Sequence, residues 1–409
     1  MSYAPNYAWT GAPTEYNGTG YDGGDSGTKS NQAKMQFCAV TAAIVMGAVA
    51  ERGRLIPALV FIFCWATLVY CPVACWVWNV NGWAFNYGVL DYAGGGPVEI
   101  VSGASALAYS MVLGRRQEKM MLNFRPHNVS LITLGTILLW FGWLGFNGGS
   151  AFGANLRAVM ACWNSCLTAM FGAITWCLLD YRLARKWSMV GWCSGTISGL
   201  VAATPASGFI TPWASVILGI AAGIICNFST KKHGIAGIVG LVFNGLFAAD
   251  YIIGLDGVNN GITGGWLNHN YKQLYIQIAY IVACTAYSFV ISAGIAYAIN
   301  AIPGLKLRAS EEAELLGMDD DQLGEFAYDY VEVRRDYLAW TPATDAPEKS
   351  NSNVNPGDRH GIPQHSEMIN GHSPESELDS GNAHTGIGGD RHGVAAESEI
   401  KEKKGVNGV

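Results

Sequence analysis

Two titratable side chains stand where such groups are costly. Glu99 lies one turn into the apolar run opened by Asp91-Tyr-Ala-Gly-Gly-Gly-Pro-Val-Glu-Ile-Val-Ser-Gly103, with no further charged side chain until Arg115. His233 opens a second run, Lys-Lys-His-Gly-Ile-Ala-Gly-Ile-Val-Gly. A charge at the centre of a membrane helix costs about 2.5–3.5 kcal/mol on insertion scales, so it persists where a partner, a water or a pathway solvates it. Each residue is followed four positions later by glycine, Gly103 and Gly237, on the same helix face. A glycine there lets a neighbouring helix close up beside the titratable group. An acid facing a base at mid-membrane makes a proton relay or the polar waist of a pore. Burial raises the carboxyl pKa and lowers that of the imidazole, while their attraction opposes both shifts. The structural alternatives are a carboxylate capping the break at Gly94–Pro97 and a histidine packed at a helix start.

The elements that must position these groups are membrane helices. Half of the 409 residues are hydrophobic and only 14% are charged, against about 25% in an ordinary soluble domain. The chain is expected to be an all-α integral membrane protein, a polytopic helical bundle. Nine spans are expected near 35–50, 55–79, 96–114, 128–148, 158–180, 189–205, 211–228, 233–250 and 273–300. The first, sixth and eighth are short or interrupted. Basic residues follow alternate spans: Arg52 and Arg54, then Arg115, Arg116, Lys119 and Arg125, then Arg182, Arg185 and Lys186, then Lys231 and Lys232, then Lys306 and Arg308. The intervening loops carry only Arg157. Lysine and arginine mark the cytoplasmic side, so the N-terminus is expected outside and the C-terminus inside. Two widely separated spans with the same Glu/His-to-glycine spacing fit the repeats of many transporters, whose sites lie at the repeat interface.

Four domains follow from composition. Residues 1–34, rich in Gly, Asn, Ser, Thr and Tyr, read as a disordered extracellular segment, with a glycosylation sequon at Asn17. Residues 35–302 hold the spans. Residues 303–340 are cytosolic, acidic and aromatic, and are expected to dock on the inner face of the bundle. Residues 341–409 read as a disordered cytosolic tail, whose five histidines are irregularly spaced and solvated. Phe37, Trp78, Trp143 and Phe146 fall at or near span ends assigned to the outside. Interfacial aromatics are ordinary. Clustered around a pore mouth they would hold a small cation at about 0.5–2 kcal/mol per cation–π contact, and Ser150 would add a hydroxyl. All ten cysteines lie in or beside apolar runs and suit packing. No metal site, cofactor or disulfide framework is implied. No basic stripe supports a nucleic-acid partner. The pairs Gly195/Gly199 and Gly219/Gly223 have the GxxxG spacing of closely packed membrane helices.

Six stretches together resemble the ammonium transporter (Amt/Mep/Rh) family, in its fungal Mep branch. They are Gly-Ala-Val-Ala-Glu-Arg-Gly-Arg (47–54), Asp91 to Gly103, Trp-Leu-Gly-Phe-Asn-Gly-Gly-Ser (143–150), Thr-Pro-Ala-Ser-Gly (204–208), His233 to Gly240, and Leu307 to about Tyr330. The resemblance implies that Phe37, Trp78 and Ser150 recruit ammonium at the external face, with methylammonium as an analogue. It implies that Phe37 and Phe146 form a phenyl gate below it, and that Asp91 supports the site through backbone geometry and electrostatics. Glu99 and His233 would occupy the twin-histidine positions of the pore, with glutamate at the first as in one fungal subgroup. The implied activity deprotonates ammonium, passes ammonia through an apolar pore and moves the proton separately, for nitrogen uptake at the plasma membrane. The implied assembly is a homo- or hetero-trimer with one pore per subunit.

The family has eleven spans, and nothing here resembles its first two. Residues 24–34 look like a splice from the family's start into its third helix. A segment that precedes the second twin position in the family is also unmatched, so Lys231-Lys232 abuts His233. This suggests a truncated form, with an ammonium sensor or a transport-incompetent subunit as alternative readings. An intramembrane hydrolase built on Ser102 or Ser105 with His233 is the weakest alternative, since neither serine has a nucleophile setting.

Overall fold

The structure, a computed structural model, describes residues 26–324 except 119–125, 127, 230–232, 258 and 260, and the backbone alone at 26–35, 233 and 316. Asn17, Lys231, Lys232, the tail and the segment beyond 324 lie outside the described residues. Among the described residues the chain is helical, with two isolated antiparallel bridges, Gly53–Arg308 and Ile210–Ala248.

Each expected span is met by a helix. The helices are α1 (Ser26–Gly47), α2 (Leu55–Trp65), α3 (Cys71–Trp78), α4 (Trp83–Tyr87), α5 (Val101–Leu113), α6 (Val129–Gly149), α7 (Leu156–Ala184), α8 (Met189–Ala206), α9 (Pro212–Ser229), α10 (His233–Phe247), α11 (Asp250–Ile253), α12 (Lys272–Ala301), α13 (Glu311–Leu316) and α14 (Met318–Leu323). A π turn, Ala66–Tyr70, fuses α2 to α3, and another, Gly95–Ile100, opens α5. Side chains start several helices: Asn128 accepts from Leu131 N, Asn155 from Ala158 N and Ser188 from Gly191 N, at 2.9–3.0 Å.

Two expectations need adjustment. First, residues 26–34, expected to belong to the disordered segment, are helical and continuous with the rest of α1. Once the apolar turns are formed, each added residue gains a hydrogen bond for the dihedrals it fixes, and no proline stops the polar stretch. Second, among the described residues six segments are long and apolar enough to cross a membrane: Leu55–Tyr87, Gly95–Leu113, Val129–Gly149, Leu156–Ala184, Pro212–Ser229 and Lys272–Ala301. Gln36–Gly47 and Gly234–Phe247 are shorter apolar helices, and α8 is diluted by Gly, Ser and Thr. These three are the spans whose sequence was short or interrupted. Helix α8 packs against α6, α7, α9 and α10, so other helices rather than lipid cover much of it.

The glycine pairs explain how closely α7, α8 and α9 meet. A Cβ on Gly199 would lie 2.3 Å from the Thr168 carbonyl, and one on Gly195 2.6 Å from that of Gly172. From the other side, a Cβ on Gly219 would lie 2.6 Å from Thr168 O and one on Gly223 2.9 Å from Gly172 O. Both GxxxG stripes therefore press on the same turn of α7, whose backbone is gripped between α8 and α9. This is van der Waals packing, the association force left where lipid is as apolar as the helices.

On the side expected to face the cytosol, the chain after α12 returns across the α1–α2 loop. Arg54 N donates to Leu307 O at 2.9 Å and Ala309 N to Arg52 O at 3.0 Å. Arg308 makes a two-pronged pair with the fully covered Glu314 at 2.6 and 3.0 Å. Hydrogen bonding to that carboxylate raises the guanidinium above its ordinary pKa. Gln117 reaches Glu314, and Leu55 N donates to Gln322 Oε1. Residues 307–322 are thus docked on the bundle, and both glutamines lie outside the apolar pattern that reveals spans.

Adding a methyl at Gly199 should lower the melting temperature of the detergent-solubilised protein by several degrees, since overpacking costs about 1–3 kcal/mol. Gly142→Ala, where an added Cβ meets nothing within 4 Å, should leave it unchanged or slightly raised. Differential scanning fluorimetry compares the two.

Candidate functional site

The site is built on a stretch of backbone that is not helical. Between α4 and the π turn, the chain enters from an exposed Gly88 and a half-buried Val89, and residues 90–96 are buried. Irregular backbone at such depth persists only when protein satisfies it. The Asp91 carboxylate does most of this. Its Oδ1 accepts from Gly94 N at 3.1 Å and Gly95 N at 2.6 Å, and its Oδ2 from Gly96 N at 2.7 Å. Tyr280 donates its hydroxyl to Oδ2 at 3.3 Å. Burial raises this carboxyl to about 6, against the pull of the four donors. Four converging donors suit the acceptor-only carboxylate anion.

The last turn of α8 supplies the next partners, since the final carbonyls of a helix have no intrahelical donors. Tyr92 N donates to Pro205 O and Ala93 N to Thr204 O, both at 3.0 Å. Asn244 and Gln277 reach in from α10 and α12 to donate to Leu90 O at 2.8 and 2.7 Å. Gly94 turns the chain at φ 111°, a conformation that suits glycine alone, and a Cβ there would strike Trp78 at 2.9 Å. Gly96 lies under the Tyr280 ring, where a Cβ would fall 2.1 Å from its hydroxyl oxygen.

Around this loop the aromatics converge. Phe37 meets Phe146 edge-on, with ring centroids 4.3 Å apart at 87°. Phe37 also lies 5.9 Å from Trp78, and Phe146 lies 5.4 Å from Trp143. Trp143 is fixed by its Nε1 bond to Thr204 Oγ1 at 3.0 Å. Ser150 is nearly buried one turn beyond Phe146, whose carbonyl receives its hydroxyl at 2.7 Å. That leaves the Ser150 oxygen two lone pairs for a donor arriving from the mouth.

Glu99 is fully buried in the π turn. Helix α10 lies against it through glycine: a Cβ on Gly237 would sit 2.7 Å from Glu99 Cβ and 3.1 Å from Gly95 O. One turn earlier on α10, a Cβ on Gly234 would lie 3.4 Å from both Glu99 O and the Gly103 Cα. The backbone of His233, next in the chain, is therefore level with the first turns of α5. Gly234 and Gly237 of α10 are thus apposed to Glu99 and Gly103 of the opening turns of α5.

A model of the Ammonium Transporter Family matches residues 6–328. The chain belongs to that family. It is 56% identical to the ammonium transporter MEP3 of Saccharomyces cerevisiae over 328 residues, covering 76% of this chain and 67% of that one. It is 56% identical to MEP1 of the same yeast over 322 residues, covering 75% and 65%. An ammonium transporter of Bacillus subtilis is 40% identical over 332 residues, covering 76% and 80%. The crystal structure of Candida albicans Mep2 superposes with a TM-score of 0.67 at 44% identity, covering 78% of this chain and 72% of that one. The chain thus falls in the fungal Mep branch and is a multi-pass membrane protein, and it spans about two thirds of the length of the yeast relatives. The family consists of transporters rather than enzymes. Ser105, weighed above as a nucleophile, is instead hydrogen-bonded by Trp65 and Ser292.

Within this family fold, Trp78 abuts Gly94, Phe37 touches Trp78 and Phe146, Asp91 ties the buried loop and Glu99 follows it, while the His233 side chain lies outside the described residues. Sequence reasoning passed over Thr204, Tyr280, Asn244 and Gln277. The last three are polar groups within apolar spans, the signal by which they were legible. It also left Arg157 as an exception to the charge alternation. Arg157 pairs with Asp256, donates to Ile253 O, and lies 5.1 and 5.2 Å from the Tyr92 and Phe209 ring centroids. A cation neutralised and stacked in this way clamps an outer loop and carries no topology signal.

Each hydrogen bond to a carboxylate is worth about 1.5–3 kcal/mol. Asp91→Ala should therefore cost several kcal/mol and lower the melting temperature sharply, whereas Tyr280→Phe, which removes only the 3.3 Å bond, should have a small effect. Thermal unfolding of both variants in detergent checks the ranking.

Proposed function

We propose that this chain carries ammonium across the plasma membrane, its N-terminus outside and its C-terminus in the cytosol. The observation that carries the reading is the conjunction of an aromatic cluster, a pair of touching phenyl rings and a buried carboxylate faced by a glycine of α10. Trp78 and Phe37 offer ring faces to a desolvated cation, and Ser150 offers an oxygen to one of its N–H groups. Asp91 holds the loop beneath and adds a fixed negative charge that favours a cation at the mouth. Phe37 and Phe146 in edge contact close the way to hydrated ions and must part for a small solute. Below them the apolar walls favour ammonia over ammonium, because a bare charge there is costly. Glu99 and His233 form the polar waist that takes the proton.

The close glycine contact between α10 and Glu99 supports this pairing, as does the family's membership of transporters. By the same resemblance, the chain works in a trimer, alone or with related subunits, each with its own pore.

Radiolabelled methylammonium uptake in cells lacking other ammonium carriers tests the proposal. The wild-type chain should support saturable uptake. Trp78→Leu should raise the half-saturating concentration about 2- to 30-fold, the value of a lost cation–π contact. Glu99→Leu combined with His233→Leu should abolish uptake. Wild-type cells that take up no more than empty-vector cells, or a double variant that transports normally, would contradict it.

A further inference from the structure

Arg157 stands where a cation is doubly out of place. It lies on the side expected to face outward, where loops 80–95, 206–210 and 251–271 carry no lysine or arginine. It is also the second residue of α7, after the Asn155 cap. A helix N-terminus already carries about half a positive charge, so a cation there is repelled. The guanidinium is nevertheless nearly buried: its side chain is 11% exposed, and that of its ion-pair partner Asp256 is 10% exposed. Salt screens so covered a pair only weakly, so either member acts at nearly full strength on its surroundings once the other is neutralised.

The pair sits behind the mouth. The Arg157 guanidinium lies over the Tyr92 and Phe209 rings, which meet edge-on with centroids 5.6 Å apart. Tyr92 directly follows Asp91 in the buried loop. Both rings belong to an apolar cluster with Leu90, Ala93 and Ile253. Against that cluster pack Phe146 of the phenyl pair and Ala151, the neighbour of Ser150. Guanidinium and phenyl pair thus share one apolar cluster. Asp256 is fixed in its turn, since its Oδ1 accepts from Asn259 N at 2.9 Å.

We propose that Asp256 sets the affinity of the mouth for ammonium by cancelling the positive charge of Arg157, which would otherwise repel the cation from Trp78, Phe37 and Ser150. The proposal rests on the transport reading above. Arg157 braces two rings with a flat cation that stacks on both, and a lysine lacks that shape. The brace brings a positive potential beside a site for a cation. A potential of one kT changes the local concentration of a monovalent ion about threefold. Asp256 keeps the brace and removes the potential. Neither residue touches ammonium; both act through the field at the mouth.

The test measures methylammonium uptake against concentration for the full-length chain in cells lacking other ammonium carriers, with the surface level of each variant determined. Asp256→Asn leaves a bare cation and should raise the half-saturating concentration about threefold or more, with the maximal rate per surface copy retained. Arg157→Gln leaves a bare anion and should lower it. The two substitutions combined should return it to the wild-type value, and Arg157→Lys, which keeps the charge, should hold it there. A purely structural clamp shifts both single variants in the same direction, because either one breaks the same bond. Shifts of one sign, or a double variant no better than Asp256→Asn, overturn the proposal. Where Asp256→Asn does not reach the surface, a fall in Arg157→Gln that the double variant reverses supports the proposal, and any other result overturns it. A wild-type chain without uptake contradicts the transport reading and takes this proposal with it; wild-type uptake with shifts of one sign contradicts this proposal alone.

Discussion

Unwound backbone inside an apolar bundle is the constraint that shapes this molecule. A segment such as 88–94 exposes amides and carbonyls that neither lipid nor a neighbouring leucine can satisfy. The Asp91 carboxylate absorbs three of the amides. The open carbonyls at the end of α8 take two more, and side-chain amides from α10 and α12 cover Leu90 O. Three elements distant in sequence, α8, α10 and α12, are thereby pinned to one loop. The pinned loop holds Trp78 against Gly94 and delivers Glu99 into the interior one turn later. Mouth and waist are consequences of one hydrogen-bonding solution.

Glycine sets the distances at which this solution works. At α7 the two GxxxG stripes allow α8 and α9 to grip the same backbone turn from opposite sides. At the waist, Gly237 performs the same service for a carboxylate, bringing α10 within contact of Glu99 Cβ. Both cases trade side-chain volume for proximity. In the first the product is a tight bundle; in the second it is a titratable group walled on one side by bare backbone.

Much of this was legible in the chain itself. Glu99 declared itself as an isolated ionisable residue in an apolar run, and Gly237 anticipated the close approach of α10 to it. The spans with long uninterrupted apolar stretches lay where expected, because hydropathy alone decides them. Helix α1 was misjudged at its start because its polar first turns carry no apolar signal, only the propensity to continue a helix already begun. Tyr280, Thr204 and the Arg157–Asp256 clamp were missed for another reason. Their partners are distant in sequence, and a polar residue in or beside an apolar span shows that a partner exists without showing which.

The central claim is that α10 must touch Glu99 for the conduit to work, and Gly237→Ala probes it with a single methyl. Methylammonium uptake should fall to background in cells where this variant reaches wild-type surface levels, because its Cβ would meet Glu99 Cβ at 2.7 Å and push the helix away. Uptake by Gly237→Ala at the wild-type rate would contradict the account.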